Sequence, residues 1–191
     1  MSEIGRPDDE LTPVSRAPGA VKRVFFALWP NRAMRIALAD ISRQAHTHFG
    51  GRPTHAESLH MTLAFLGAVP EKRIDELRAT AAEVRFARFV LDLDSIGCWR
   101  HNHIAWIAPR TAPPELSDLV AQLEARLASS GFSFDLRLFA PHVTLARKAD
   151  CKPGLSNFAA PGWQVDEFVL VESAAEHLGG TYRIIGRWRC G

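Results

Sequence analysis

A chain of 191 residues, 47% of them hydrophobic, carries enough apolar surface for one domain or two small lobes. Its 23 Lys and Arg against 21 Asp and Glu leave a formal charge of only +2, which excludes a broad, sequence-blind nucleic-acid surface and leaves any phosphate contact to a local site. No apolar run is long enough to span a bilayer, the opening residues lack the apolar stretch of a secretory signal, and Cys98, Cys151 and Cys190 contain no C-x-x-C pair, so the expectation is a cytoplasmic protein with reduced thiols.

Residues 1–20 mix Pro, Gly, Asp and Glu with few large apolar side chains and are expected to form a flexible tail, leaving 21–191 as one domain. Order begins at Val21, where a β-branched and aromatic run ends at Pro30 and predicts a strand. Asn31 then caps a helix whose Met34, Leu38, Ile41 and Ala45 recur at helical spacing until Gly50 and Gly51 break it. A second helix is expected from Glu71 to Arg85, with Ile74, Leu77, Ala81 and Val84 on one face. A third, with Leu116, Leu119, Val120, Leu123 and Leu127 in register, follows Pro113-Pro114 and stops at Gly131. Strand character marks Leu59–Leu66, Phe89–Ile96, Ile104–Ala108, His142–Ala146, Phe168–Glu172 and Tyr182–Trp188. This irregular interleaving predicts an α+β fold rather than a doubly wound parallel sheet.

Gly-rich phosphate loops and His-Glu-x-x-His are absent, which removes the common nucleotide-fold and metalloprotease readings. One pattern occurs twice: Leu59-His60-Met61-Thr62-Leu63-Ala64 and Pro141-His142-Val143-Thr144-Leu145-Ala146 both contain His-x-Thr-Leu-Ala. On a strand, residues i and i+2 share a face, so His60 projects with Thr62 and His142 with Thr144. Two imidazoles and two hydroxyls suit displacement at phosphorus: one neutral His takes a proton from water, one protonated His supplies a proton to the departing oxygen, and the hydroxyls bond the non-bridging oxygens. Histidine fits both tasks because its ordinary pKa lies near neutrality. Either motif alone is ordinary strand chemistry, and as a metal site two His without an acidic or Cys partner form a thin ligand set. No metal or cofactor is called for.

These motifs, with Arg23-Val24-Phe25-Phe26-Ala27-Leu28-Trp29-Pro30 at the start, Phe65-Leu66-Gly67 after the first motif, Arg147 after the second, and Leu170-Val171-Glu172-Ser173, Gly180, Tyr182 and Trp188 near the end, resemble the two-histidine phosphoesterases. Within them the chain is most similar to the RNA 2′,3′-cyclic phosphodiesterases, also called 2′-5′ RNA ligases. The resemblance implies a bilobal α+β fold in which two antiparallel-rich sheets with flanking helices face each other across a pseudo-twofold cleft, each lobe giving one His-x-Thr strand. It implies His60 as proton donor to the leaving 3′-oxygen, His142 as the acceptor that activates water, and Thr62 and Thr144 as phosphate-binding residues. The substrate it implies is an RNA 3′ end bearing a cyclic phosphate, tRNA fragments among them, opened by a monomer to a 2′-phosphate, with 2′-5′ ligation as the reverse reaction. Where members often carry Arg before the second Pro-His, this chain has Ala140.

Other residues read more plainly. Arg147 and Lys148 are basic residues after a strand, a position usually solvated. Phe25, Phe26 and Trp29 are candidates for stacking on a base, with core packing the simpler expectation. His101-Asn102-His103 falls in a turn, and His46, His48 and His55 near a helix end and loop, all read as surface residues. Two competing functions remain open: a phosphodiesterase for another small cyclic phosphate or a 2′-5′ oligonucleotide, and a module that binds RNA ends or nucleotides without turnover.

Overall fold

The structure, a computed structural model, describes residues 19–153, 158, 162–173 and 182–191. Most of the expected tail, and Gly180, lie outside the described residues. The first strand, β1 (Val21–Leu28), is followed by helix α1 (Arg32–Phe49), the two-residue strand β2 (Arg52–Pro53) and strand β3 (Met61–Pro70). Helix α2 (Ile74–Ala82) precedes β4 (Phe89–Leu91), β5 (Ser95–Trp99) and β6 (Ile104–Ala108). Helix α3 (Pro114–Ser129) leads to β7 (Val143–Arg147), β8 (Trp163–Val165), β9 (Glu167–Ser173) and β10 (Tyr182–Arg189).

Among the described residues, eight strands form one antiparallel sheet in the order β10-β9-β1-β3-β7-β6-β5, with β2 beside β7, while β4 and β8 pair separately. The sheet has two lobes, β10-β9-β1-β3 and β7-β6-β5, which meet where Met61 pairs with Val143. β1 reads as a nearly continuous apolar run because both its faces are covered. Val24, Phe26 and Leu28 join the main core under the helices, whereas Phe25 and Ala27 join Val169 and Val171 in a smaller cluster on the opposite face.

The helices cross the seam. α1, which follows a strand of the first lobe, packs on β7 of the second, where the buried Ser42 hydroxyl donates to the Leu145 carbonyl at 2.8 Å. α3, which follows β6 of the second lobe, packs on β3 of the first and on α2. The expected starts and stops hold for two of the three helices. The Asn31 side chain accepts from the Met34 amide at 2.9 Å at the head of α1, and α3 has Pro114 in its first turn and Gly131 just past its end with φ +66°.

Three expectations need correction. The helix expected from Glu71 to Arg85 is shorter: a 3-10 turn over Glu71–Arg73 leads into α2, which ends at Ala82. The single strand expected over Phe89–Ile96 is two strands, β4 and β5, in different sheets. The acidic pair between them turns the chain, with the Asp94 carboxylate accepting from the Arg110 amide at 2.6 Å. The cysteines are not all reduced: Cys98 and Cys151 are bonded, with Cα atoms 5.2 Å apart, while Cys190 is free. A motif search cannot find this pair because its proximity is made by the path after β7. That path folds back over the β5–β6 hairpin tip, where the Ala149 amide donates to the His103 carbonyl at 2.9 Å.

Two glycines are dictated by backbone. Gly67 has φ +70° in a bulge of β3, where the register against β1 slips between Val24 and Phe25. Gly97 of β5 lies beneath the Trp106 indole, which occupies the space a Cβ would need.

The Cys98–Cys151 bond spans 53 residues of sequence, for which loop-closure entropy assigns up to about 4 kcal/mol. Reduction, or the double change Cys98→Ser and Cys151→Ser, is therefore expected to lower the unfolding free energy by an amount approaching that figure, read as a fall in the urea midpoint multiplied by the m-value. An unchanged midpoint would mean the loop is held equally well by its other contacts.

Candidate active site

His60 and His142 each sit one residue before a strand, β3 and β7, on either side of the seam. Because Met61 pairs with Val143 in antiparallel register, extending the register by one residue sets His60 across from Thr144 and Thr62 across from His142. The motif side chains thus occupy the corners of a diagonal square around the Met61–Val143 pair. Met61 and Val143 point the other way and are fully buried. The four residues come together on the sheet face away from the helices, the face on which Phe25 packs against His60.

Both imidazoles are held alike. His60 Nδ1 lies 2.7 Å from the Ser58 carbonyl and His142 Nδ1 lies 2.8 Å from the Ala140 carbonyl, each two residues back along the chain. A carbonyl can only accept, so Nδ1 is the donor in each ring and Nε2 is left to exchange a proton. The Ala140 contact comes from the main chain, so the departure from Arg at this position leaves the orientation of His142 intact.

The walls are aromatic. The Trp29 indole lies parallel to His60 at 5.3 Å between centroids, Phe25 stacks on the same ring at 4.9 Å, and Tyr182 meets it edge-on at 5.3 Å. Trp99 meets His142 edge-on at 4.6 Å. Trp106 is opposite Thr144 in the β6–β7 register and packs against Trp99 at 5.5 Å. Of the aromatics singled out in the sequence, Phe26 is core, packed on Phe168 and Trp188, while Phe25 and Trp29 face the first motif. Trp99, Trp106 and Tyr182 were not expected at the site. Strand alternation from the motif residues would have put Trp106 beside Thr144 only once the pairing of β6 with β7 was known.

This enclosure sets the proton affinities. Burial pushes His60 down to about 4, helped by the positive charges of His142 and Arg147 and opposed by the bond to Ser58. Burial also lowers His142, with Arg147 adding to the effect and the Ala140 bond opposing it. Arg147, exposed at the end of β7, is thus close enough for its charge to act on both rings. The sequence placed it beside the second motif without assigning it a task.

The other described histidines are elsewhere, and His177 lies outside the described residues. His101 and His103 are exposed in the β5–β6 turn, His46 and His48 bond main-chain carbonyls at the end of α1, and His55 is an exposed residue before β3. Among the described residues no group of three His, Cys, Asp or Glu side chains is arranged to hold a metal ion. No helix among them is long and apolar enough to cross a membrane.

The comparisons agree with this geometry. The "LigT like Phosphoesterase" family matches residues 28–106 and again 107–181, one match for each His-x-Thr motif. The RNA 2′,3′-cyclic phosphodiesterase of Escherichia coli (strain K12) is 33% identical over 174 residues, covering 87% of this chain and 96% of the relative. A protein of the same name from Archaeoglobus fulgidus is 27% identical over 84% of this chain and 96% of its own length. Among solved structures, apo E. coli LigT superposes with a TM-score of 0.77 at 31% identity, over 89% of this chain and 98% of that one. The same protein in complex with 3′-AMP gives 0.76 at 30% identity, over 90% and 99%. The repeated motif, the two-lobed α+β sheet and the matches over both halves together make this chain a member of the LigT-like phosphoesterase family, of the two-histidine superfamily.

Proposed function

We propose that this chain is an RNA 2′,3′-cyclic phosphodiesterase that opens a terminal cyclic phosphate to a 2′-phosphomonoester by acid/base catalysis between His60 and His142. The observation that carries this reading is the matched pair of imidazoles, each fixed through Nδ1 to a carbonyl two residues back and each leaving Nε2 free on one face. The E. coli relative bears that enzyme name, and its structure has been solved with 3′-AMP.

In this mechanism His142 Nε2 takes a proton from water as the water oxygen attacks phosphorus. The bond from phosphorus to the 3′-oxygen breaks, and His60 Nε2–H supplies the proton that oxygen needs. The Thr62 and Thr144 hydroxyls donate to the non-bridging oxygens, and Arg147 adds positive charge nearby. With the 5′-hydroxyl of a second RNA in place of water as nucleophile, the same pair breaks the same phosphorus–3′-oxygen bond and forms a 2′-5′ linkage, and the reverse of that step cleaves the linkage back to the cyclic phosphate. Both imidazoles come from one chain, which supports action as a monomer on 21–191 as a single bilobal domain, with the helices crossing the seam holding its halves together. RNA ends such as tRNA fragments, met in the cytoplasm, belong to the same reading, although a Cys98–Cys151 bond is uncommon in a reducing compartment.

With chelator present and a short RNA ending in 2′,3′-cyclic phosphate, His60→Ala and His142→Ala are each expected to lose about 10²–10⁴-fold in kcat. Wild-type turnover indifferent to both changes would overturn the mechanism, and RNA binding without product would favour the binding module.

The two roles separate with an activated phosphodiester whose leaving group needs no proton. His60→Ala should retain most of its rate on that ester, while His142→Ala should not. The reverse result would exchange donor and acceptor.

The pH dependence follows from the enclosed rings. In the free protein both imidazoles are held below their ordinary value, so the state with one proton shared between them is centred on the acid side of neutrality. A bound phosphodiester anion favours the protonated rings and raises both. The bell for kcat, which reports the complex, is therefore expected at higher pH than the bell for kcat/KM, which reports the free protein. Coincident bells would show that substrate charge does not reach the pair.

A further inference from the structure

The Cys98–Cys151 bond sits directly behind one wall of the proposed active site. Cys98 and Trp99 are neighbours on β5, so their side chains leave opposite faces of the sheet. Cys98 packs against the main core, while Trp99 meets the His142 ring edge-on at 4.6 Å. Among the described residues β5 is the last strand of the sheet, with only β6 as a neighbour. The disulfide is therefore a second tie on an edge strand, made to the segment that leaves β7.

The pieces of chain that it joins are strained. Among the described residues, the non-glycine residues with positive φ are His103, in the β5–β6 turn, at +55° and Lys148, just after β7, at +56°. Left-handed backbone of this kind persists only where the surroundings over-determine it. Here the Ala149 amide donates to the His103 carbonyl at 2.9 Å, and His103 Nδ1 donates to the Ala149 carbonyl at 3.1 Å. The covalent bond keeps these partners in register, and without it both turns are free to relax.

We propose that the Cys98–Cys151 bond is a redox-sensitive clamp on the active site, closed in the oxidised protein to hold Trp99 against His142 and opened by a dithiol reductant, with a fall in turnover. The inference rests on the phosphodiesterase reading above, and Trp99 acts in it as a positioning residue. Cys98 and Cys151 are both half-buried, so a small dithiol reaches the bond without unfolding the chain. In a reducing compartment, disulfides are mostly of the kind that open and close in redox sensing. In the opening step a thiolate of the dithiol attacks one sulfur of the bond, and its second thiol then resolves the mixed disulfide. Two electrons and two protons pass to Cys98 and Cys151, and the dithiol leaves as a cyclic disulfide. With β5 held only by its ladder to β6, the indole no longer confines one side of His142, and the ring gains orientations other than the one that presents Nε2 to the substrate.

The test holds the full chain, without denaturant, in dithiothreitol buffers of graded reduced-to-oxidised ratio. At each ratio it reads free thiols, turnover of a short RNA ending in 2′,3′-cyclic phosphate, and the His142 ring signal by NMR, identified by its absence in His142→Ala. Free thiols are expected to rise from Cys190 alone to all three cysteines in one two-electron transition. Along the same curve kcat should fall by about tenfold with KM little changed, and the His142 signal should shift. The double change Cys98→Ser and Cys151→Ser should stay at the reduced level in every buffer. Trp99→Leu should keep the bond but lose the redox dependence of kcat, which a disulfide that only stabilises the fold would not do. A bond that resists the dithiol, thiols that appear while kcat holds or rises, or a redox dependence that survives Trp99→Leu would each overturn the clamp. Absence of turnover at every ratio would overturn the phosphodiesterase reading instead; a His142 signal that still followed the thiols would then uphold the clamp on Trp99, and a fixed signal would overturn it.

Discussion

The site depends on one backbone pairing. Met61 and Val143 are partners across the seam between the lobes, and every relation among the motif residues follows from that register. Side chains alternate along a strand, so placing two buried apolar residues opposite each other obliges their neighbours to emerge together on the far face. A slip of one residue in either strand would turn its own buried apolar residue, Met61 or Val143, toward the cleft and carry its own imidazole into the core. The apolar side of the sheet thus specifies the polar side, and burial of large side chains under the helices keeps the geometry of groups that never touch those helices.

The second constraint is that each imidazole is both enclosed and oriented. Trp29, Phe25 and Tyr182 exclude water from around His60, which makes its neutral form the resting one, while the Ser58 carbonyl fixes which nitrogen is presented. A ring that resists a proton in the empty site and gains it when an anion arrives couples protonation to occupancy. Arg147 works in the same sense: it disfavours imidazolium while the cleft is empty, and an entering anion offsets its charge.

The sequence was most informative where physics is local. The period of two in His60-Met61-Thr62 and His142-Val143-Thr144, the Asn31 cap and the apolar spacing of α1 and α3 were all readable, because each depends on residues within a turn or two of one another. What escaped depended on the path of the chain. The Cys98–Cys151 bond needs the segment after β7 to fold back over a hairpin, and the three-residue β8 is a strand only because β4 lies beside it. The break between β4 and β5 hinges on an Asp94 carboxylate that finds the Arg110 amide sixteen residues on. Trp99 and Tyr182 come from strands far in sequence from the ring each one flanks, so no window around a motif contains them.

The crossing of α1 and α3 over the seam has an evolutionary side. Two half-chains that each match one family pattern suggest a duplicated unit, yet each motif strand is now backed by a helix from the other half. A chain cut at the boundary between the two matches would split β6, part β9 and β10 from β1, and leave β7 without a neighbouring strand, so neither half of the sequence carries a complete lobe. With strands as well as helices traded between the halves, the two lobes form one folding unit, and neither His-x-Thr strand holds its place without the other half of the chain.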